Sequence, residues 1–140
     1  MEPLPSTSPT RSSERPLAVV ADDEKDILLL VATVLQTAGF DVIGARNGVE
    51  ALTEIRVRQP QLAVLDLSMP ELDGLEVLRR VRADAGVAKT PIVILSARAQ
   101  DADVARAYAD GASGYVRKPF KPSELVALAR KLTQSAPGGR

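Results

Sequence analysis

The stretch Leu62-Ala63-Val64-Leu65-Asp66-Leu67-Ser68-Met69-Pro70 decides the fold of this 140-residue chain. Its four leading apolar residues form the short, continuous run that is typical of a strand buried on both faces of a parallel sheet. Asp66 then stands at the carboxyl end of that strand, at the rim where open α/β sheets bind their ligands. The stretch therefore predicts a parallel sheet with a carboxylate at its ligand-binding edge.

Four further runs of the same kind predict the other strands of the sheet. With the first run extended to Leu67, the predicted strands are Leu17–Ala21, Asp41–Ala45, Leu62–Leu67, Pro91–Leu95 and Tyr115–Arg117. Segments with helical spacing separate and follow them, and this alternation implies right-handed crossovers and helices on both faces. We therefore predict an α/β fold, a doubly wound, flavodoxin-like (βα)5 sheet with strand order 2-1-3-4-5.

Two helices carry specific predictions. Asn47 followed by Glu50 reads as a capping box that opens a helix burying Val49, Leu52 and Ile55. The segment 99–109 is rich in Ala and predicts the fourth helix.

The chain ends are expected to lie outside a single domain spanning residues 16–133. Residues 1–15 contain Pro3, Pro5 and Pro9 among Ser and Thr, a composition that predicts a disordered leader, with a docking role as the less favoured interpretation. Residues 134–140 predict a flexible tail.

Composition excludes several classes of function. Lys plus Arg and Asp plus Glu are balanced at 18 each, so charge gives no case for nucleic acid as a direct partner. The chain has no Cys and no His, so a metal would be bound by oxygen, which favours Mg²⁺, Ca²⁺ or Mn²⁺. The sequence has neither a membrane-spanning run nor a signal peptide, and we expect a cytoplasmic protein without membrane contact.

Polar residues follow four of the five predicted strands at the same edge of the sheet. They are Asp22 and Asp23, Asp66, Ser96, and Lys118. Each alone is more often a turn or capping residue, but the set in this order is improbable by chance. Three neighbouring carboxylates repel one another, and a divalent cation such as Mg²⁺ or Mn²⁺ resolves that repulsion and leaves room for a phosphoryl oxygen.

The set predicts phosphoryl transfer, which needs mainly positioning and charge neutralisation. Asp66 is the predicted nucleophile and phosphoacceptor. We assign Asp23 as a direct metal ligand, Asp22 as a ligand largely through water, and the Ser68 backbone carbonyl as a further ligand. Lys118 is the predicted counter-cation and Ser96 the hydroxyl donor to a phosphoryl oxygen.

These residues resemble the receiver domain of two-component response regulators, over about Leu17 to Leu132. The matching motifs are Val19-Val20-Ala21-Asp22-Asp23, Asp66-Leu67-Ser68-Met69-Pro70 with Asp73-Gly74, Ile94-Leu95-Ser96-Ala97, and Tyr115-Val116-Arg117-Lys118-Pro119-Phe120. The resemblance implies Mg²⁺-dependent phosphorylation by a sensor histidine kinase or phosphotransfer protein, and a cis Lys118–Pro119 bond. It implies no turnover enzyme, but a protein that catalyses its own aspartyl phosphorylation and dephosphorylation.

The resemblance also implies a switch, in which Ser96 moves toward the phosphoryl group and Tyr115 swings inward behind it. The surface of the fourth helix, fifth strand and fifth helix would then bind an unidentified downstream protein. Ser68 and Arg98 stand where dephosphorylation rates are tuned in the family.

Some positions depart from the DNA-binding members of that family. Ser113, Gly114 and Leu128 stand where those members often carry two Asp and an Arg, so we do not expect their salt-bridged dimer. We expect a monomer, or a weak dimer through the same helix–strand–helix surface. Because the chain ends eight residues after Leu132, we also expect no DNA-binding domain and a stand-alone or phosphorelay role.

Two alternatives belong to other classes. A pseudo-receiver would serve as an interaction module without phosphorylation, and the complete set of site residues argues against it. A flavodoxin-like cofactor binder would need a Ser/Thr/Gly-rich phosphate loop after the first strand, where this chain has acids.

Overall fold

The sheet and its five helices match the predicted architecture. The computed structural model describes residues 15–97 and 100–134, so most of the predicted leader and tail, and Arg98, lie outside the described residues. The elements are β1 (Leu17–Ala21), α1 (Lys25–Thr37), β2 (Asp41–Ala45), α2 (Gly48–Arg58), β3 (Leu62–Asp66), α3 (Gly74–Arg82), β4 (Ile92–Ser96), α4 (Asp101–Ala109), β5 (Gly114–Arg117) and α5 (Pro122–Gln134). All strand pairs are parallel in the order β2-β1-β3-β4-β5, which confirms the predicted topology.

The strand bounds agree with the predicted ones within one residue because the apolar runs are the buried strands. Every residue of β1, β3 and β4 is buried. Alternate residues of these strands point to two hydrophobic layers, one beneath α1 and α5 and the other beneath α2, α3 and α4. None of the helices in the described ranges is long and apolar enough to cross a membrane.

Helix α2 differs from the prediction at its first turn. Val49 is 50% exposed, not buried as predicted. Gly48 takes the inward position instead, and a Cβ there would overlap the backbone carbonyl of Leu72. The close approach at Gly48 turns Val49 outward. The cap itself is confirmed, because Asn47 Oδ1 accepts a hydrogen bond from Glu50 N–H at 2.8 Å.

The second half of the capping box lies one residue earlier than the motif predicts. Glu50 Oε1 accepts a hydrogen bond from the backbone N–H of Arg46, at 2.9 Å, and not from that of Asn47. The carboxylate still satisfies a backbone donor before the helix.

The last residue of α3 ties together the loops at the amino edge of the sheet. Arg82 donates hydrogen bonds to the carbonyl oxygens of Ala88 (2.9 Å), Thr90 (2.6 Å) and Gly111 (2.9 Å). Its guanidinium has no carboxylate partner among the described residues, and burial lowers its pKa. Arg82 thus connects α3 to the segments that lead into β4 and β5.

Helix α4 is the most lightly anchored helix of its layer. Only Ala107 of its nine residues is buried. At its C-terminal end, Asp110 forms a 3.1 Å ion pair with Arg79 of α3. Side-chain charge therefore supplements a sparse apolar contact.

Candidate functional site

The predicted acids meet because β1 and β3 are neighbours in the sheet. Ala21 pairs with Leu65, so Asp22 and Asp66 follow matched positions at the carboxyl edge. The described acids that lie close enough to share a metal ion are Asp22, Asp23 and Asp66, whose ligand atoms lie within 4.8 Å of one another. Asp22 and Asp66 are buried, whereas Asp23 is exposed.

Lys118 reaches this cluster from the end of β5. Its Nζ donates to Asp66 Oδ1 at 3.0 Å and to Asp22 Oδ2 at 3.1 Å. Its backbone N–H donates to the carbonyl oxygen of Ser96 at 2.8 Å, which continues the pairing of β5 with β4. The Lys118–Pro119 bond is cis, as predicted from the resemblance. The strand order thus brings Lys118 into contact with Asp66, the phosphoacceptor candidate, which lies 52 positions earlier in the chain.

The charges in the cluster do not balance. One lysine faces two buried carboxylates and, at 3.9 Å, the exposed Glu24, while the exposed Asp23 lies close to the two buried acids. The atoms that carry the unbalanced negative charge are all carboxylate oxygens, which are suitable ligands for a hard divalent cation such as Mg²⁺ or Mn²⁺. Both oxygens of Asp22 already accept hydrogen bonds, one from Lys118 and the other from the backbone N–H of Glu24 at 2.9 Å. Asp23 and Asp66 therefore keep more free oxygen for direct ligation.

Burial and charge shift the pKa values of the central pair. Burial raises the pKa of Asp66 above its usual value of 3.8; the hydrogen bond from Lys118 opposes this shift, and the charge of Asp22 adds to it. Burial alone would lower the pKa of Lys118, but its hydrogen bonds to Asp66 and Asp22 outweigh burial and raise it. The lysine is therefore held as a cation, and the carboxylate of Asp66 gains from any further positive charge.

The remaining predicted residues lie around this cluster at different distances. Ser96 is buried at the end of β4, next to β3 in the sheet. Tyr115 is half-buried on β5, one strand further away, and packs against the layer beneath α2, α3 and α4. Ser68 is exposed in the loop after β3, whereas Arg98 lies outside the described residues. The structure thus brings together the acids and Lys118, with Ser96 on the adjacent strand.

A cleft of about 520 Å³ opens beside the acids and contains two residues that the sequence did not identify. Asp23, Ser68 and Asp73 line it together with Arg79 of α3 and Arg106 of α4. Nothing in the sequence around Arg106 distinguishes it from a solvated helix residue. Its place depends on how α4 lies against α3.

The three residues that differ from the DNA-binding members, Ser113, Gly114 and Leu128, make contacts within this domain. Ser113 Oγ accepts a hydrogen bond from the backbone N–H of Ile92 at 3.0 Å, next to Arg82. A Cβ added to Gly114 would lie 2.8 Å from Cδ2 of Leu128, so these two residues pack tightly. These contacts fit the expectation that the chain lacks the salt-bridged dimer, which stays a prediction.

Comparisons with known proteins agree with this arrangement. A family model described as the response regulator receiver domain matches residues 18–130. The DNA-binding response regulator MtrA of Mycolicibacterium paratuberculosis is 42% identical over 112 residues, which cover 80% of this chain and 48% of that protein.

Solved structures give the same result. The receiver domain of Francisella response regulator 1452 is 32% identical, with a TM-score of 0.81 and coverage of 86% of this chain and 98% of that one. Chemotaxis protein CheY4 of Vibrio cholerae is 29% identical, with a TM-score of 0.79 and coverage of 84% and 98%.

The expectation of no nucleic-acid partner finds no support in these relatives. The chain spans about half the length of the curated relatives it matches, and their names describe DNA-binding regulators. The fold, the acidic edge with Lys118 and the match over residues 18–130 agree, and the chain belongs to the receiver domain family of two-component response regulators.

Proposed function

We propose that Asp66 accepts a phosphoryl group from a histidine kinase or phosphotransfer protein. The observation that carries the proposal is the contact of Lys118 Nζ with both Asp66 and Asp22 inside the acidic cluster. A lysine that bridges two buried acids neutralises only one of them. The residual negative charge suits a site that binds a cation and then a phosphoryl group.

In this reaction a carboxylate oxygen of Asp66 attacks the phosphorus atom of the donor in line with the leaving group. A new O–P bond forms while the bond from phosphorus to the donor atom breaks, and the leaving group departs with the electron pair; an imidazole takes up a proton from solvent, whereas a carboxylate leaves as the anion. Lys118 is already within hydrogen-bond distance of Asp66, so it moves to a phosphoryl oxygen as the carboxylate loses its charge.

Asp23, Asp66 and the backbone carbonyl of Ser68 would hold Mg²⁺ or Mn²⁺, and Asp22 would act largely through water. When bound, the ion supplies charge neutralisation for the phosphoryl oxygens. Asp22 meanwhile keeps Lys118 in position through its Oδ2.

We infer that Ser96 donates its hydroxyl hydrogen to a phosphoryl oxygen and that Tyr115 moves with it. Ser96 ends the strand next to β3, and Tyr115 pairs in register with Ile94 two residues before Ser96. A shift at the end of β4 would therefore reach β5 directly. Ser68 and Arg98 are proposed to set how fast water removes the phosphoryl group.

The test is labelling by a phosphorylated kinase or by acetyl phosphate in the presence of Mg²⁺. We expect Asp66→Asn to abolish the added phosphate because the amide is not a nucleophile, while its fold is retained. Asp84→Asn, which removes an acid from the opposite edge of the sheet, is the matched control and should be labelled like the unmodified protein. An acid-labile, Mg²⁺-dependent phosphate that persists on Asp66→Asn would contradict the assignment, and an unlabelled wild-type protein would favour the pseudo-receiver alternative.

A further inference from the structure

Arg106 stands out among the charged residues of the cleft because its guanidinium has no partner in the described part of the chain. Two carboxylates lie within one helical turn of it, Asp103 and Asp110. Neither forms an ion pair with Arg106, and Asp110 is already bound by Arg79. Arg106 instead lines the cleft.

The other charges of the cleft are already compensated or committed. Arg79 bonds to Glu76 at 2.7 Å and to Asp110 at 3.1 Å, so its charge is neutralised by two acids. Asp73 accepts the backbone N–H of Glu76 as the N-cap of α3. Asp23 belongs to the acidic cluster that suits a divalent cation. With that cation bound, Arg106 is the cationic residue of the described cleft lining that no described carboxylate contacts.

The cleft also has the size and position of a small-molecule site. Its volume of about 520 Å³ lies within the range of ligand pockets. Two of its lining residues connect it to the proposed phosphoryl site: Asp23 lies in the acidic cluster with Asp66, and Ser68 follows Asp66 by two residues in the chain. Apolar side chains such as Leu75 and Met69 line it as well, so it offers a cation for an anion and an apolar wall for a short acyl group.

We propose that Arg106 is a binding residue for a small anionic phosphodonor of the acyl phosphate class, and that it attracts the donor's phosphate to the cleft beside Asp66. The inference rests on the proposed function of Asp66. A dianion and a single guanidinium on an exposed wall attract each other modestly, and we expect an effect of about threefold to fivefold on the rate at low ionic strength. Salt should screen most of it.

The test measures the second-order rate constant for phosphorylation by acetyl phosphate at saturating Mg²⁺, followed by intact-protein mass spectrometry. We expect Arg106→Gln to lower this constant about threefold to fivefold at low ionic strength and hardly at all at high ionic strength. Arg106→Lys should keep most of the rate. Arg130→Gln, the same charge change on α5 near the C-terminal end of α1, is the matched control and should behave like the unmodified protein.

A second readout does not depend on transfer. Inorganic phosphate, added with Mg²⁺ to the Asp66→Asn variant, should shift the backbone amide resonances of α4 around Arg106, and Arg106→Gln in that background should weaken the shifts. Equal rate constants for Arg106→Gln and Arg130→Gln, or phosphate shifts that do not change on losing Arg106, would overturn the proposal. Failure of the proposed function is distinct, since it would appear as an unlabelled wild-type protein.

Discussion

Cationic side chains enter the interior at both edges of the sheet, Arg82 at the amino edge and Lys118 at the carboxyl edge. Arg82 meets carbonyl oxygens at three sites and, within residues 15–97 and 100–134, no carboxylate. Lys118 meets two buried carboxylates with a third close by. The environment of Arg82 is neutral, and its carbonyl oxygens accept the hydrogen bonds of the guanidinium. The environment of Lys118 has more negative than positive charge.

The difference separates a balanced group of buried charges from an unbalanced one. The carbonyl oxygens around Arg82 would be left without donors if the guanidinium were lost, but they attract no mobile ion strongly. The acids around Lys118 repel one another, and a bound divalent cation would stabilise them. The unbalanced group of charges around Lys118, and not the burial of charge alone, is what supports the proposed phosphoryl site.

Replacing Arg82 should produce the largest loss of stability. We expect Arg82→Met to lower the free energy of unfolding by about 3 kcal/mol. Three carbonyl oxygens lose their hydrogen-bond donor, and the segments before β4 and β5 lose the side chain that connects them to α3. Urea unfolding followed by circular dichroism measures this free energy. Arg80→Met, on an exposed neighbouring residue, is the control. Mg²⁺ should not change the stability loss of Arg82→Met. A loss that Mg²⁺ reverses would show that the two edges of the sheet do not differ in their response to a cation.

Replacing Lys118 should have a smaller effect, and one that depends on metal. Without divalent ions we expect Lys118→Met to lower the free energy of unfolding by about 2 kcal/mol, since Asp22 and Asp66 then repel without a counter-cation. Millimolar Mg²⁺ should restore part of this loss, because the ion replaces the missing charge.

Lys121→Met changes an exposed lysine three residues further on and serves as the control for the Lys118 variant. Its stability should be unchanged with and without Mg²⁺. A Lys118 deficit that is the same in both conditions would show that the lysine acts only through packing.

The acidic cluster around Lys118 could be predicted from the sequence, whereas the surroundings of Arg82 could not. Each acid, and Lys118, follows an apolar run, and parallel strands place such residues at one edge, so local patterns and a topology rule predict the cluster. Arg82 reads as an ordinary basic residue in the last turn of a helix. Its partners are carbonyl oxygens up to 29 positions away, and a carbonyl has no sequence signature.

The same limit explains the other misses. The helical spacing of Val49, Leu52 and Ile55 predicts a buried Val49, but the close approach of Leu72 to Gly48 decides which side of α2 faces the core. The cleft depends on where α4 lies, which is fixed by Ala107 and the Arg79–Asp110 ion pair and not by any strong periodic pattern. Contacts between distant segments set both features.

The smallest expected effect concerns whether the charge of Asp66 stabilises or destabilises the folded protein. Burial raises the pKa of Asp66, so its charged form destabilises the metal-free fold at neutral pH. We expect Asp66→Asn to raise the free energy of unfolding at pH 7 without divalent ions, by less than Lys118→Met lowers it. As pH falls through the raised pKa toward the usual 3.8, protonation removes the penalty from the wild-type protein and the difference should shrink.

Mg²⁺ should reverse the order of the two proteins at neutral pH. The ion binds the folded wild-type site and stabilises it in proportion to the logarithm of ion concentration over the dissociation constant, whereas the amide of Asp66→Asn offers a weaker ligand. Asp84→Asn loses only a partly exposed ion pair with Arg56 and should gain no stability without metal. Urea titrations at pH 7 and near pH 4, with and without Mg²⁺, separate these cases. A wild-type protein already more stable than Asp66→Asn without metal at pH 7 would mean that Lys118 fully compensates Asp66, and that the carboxyl edge is as balanced as the surroundings of Arg82.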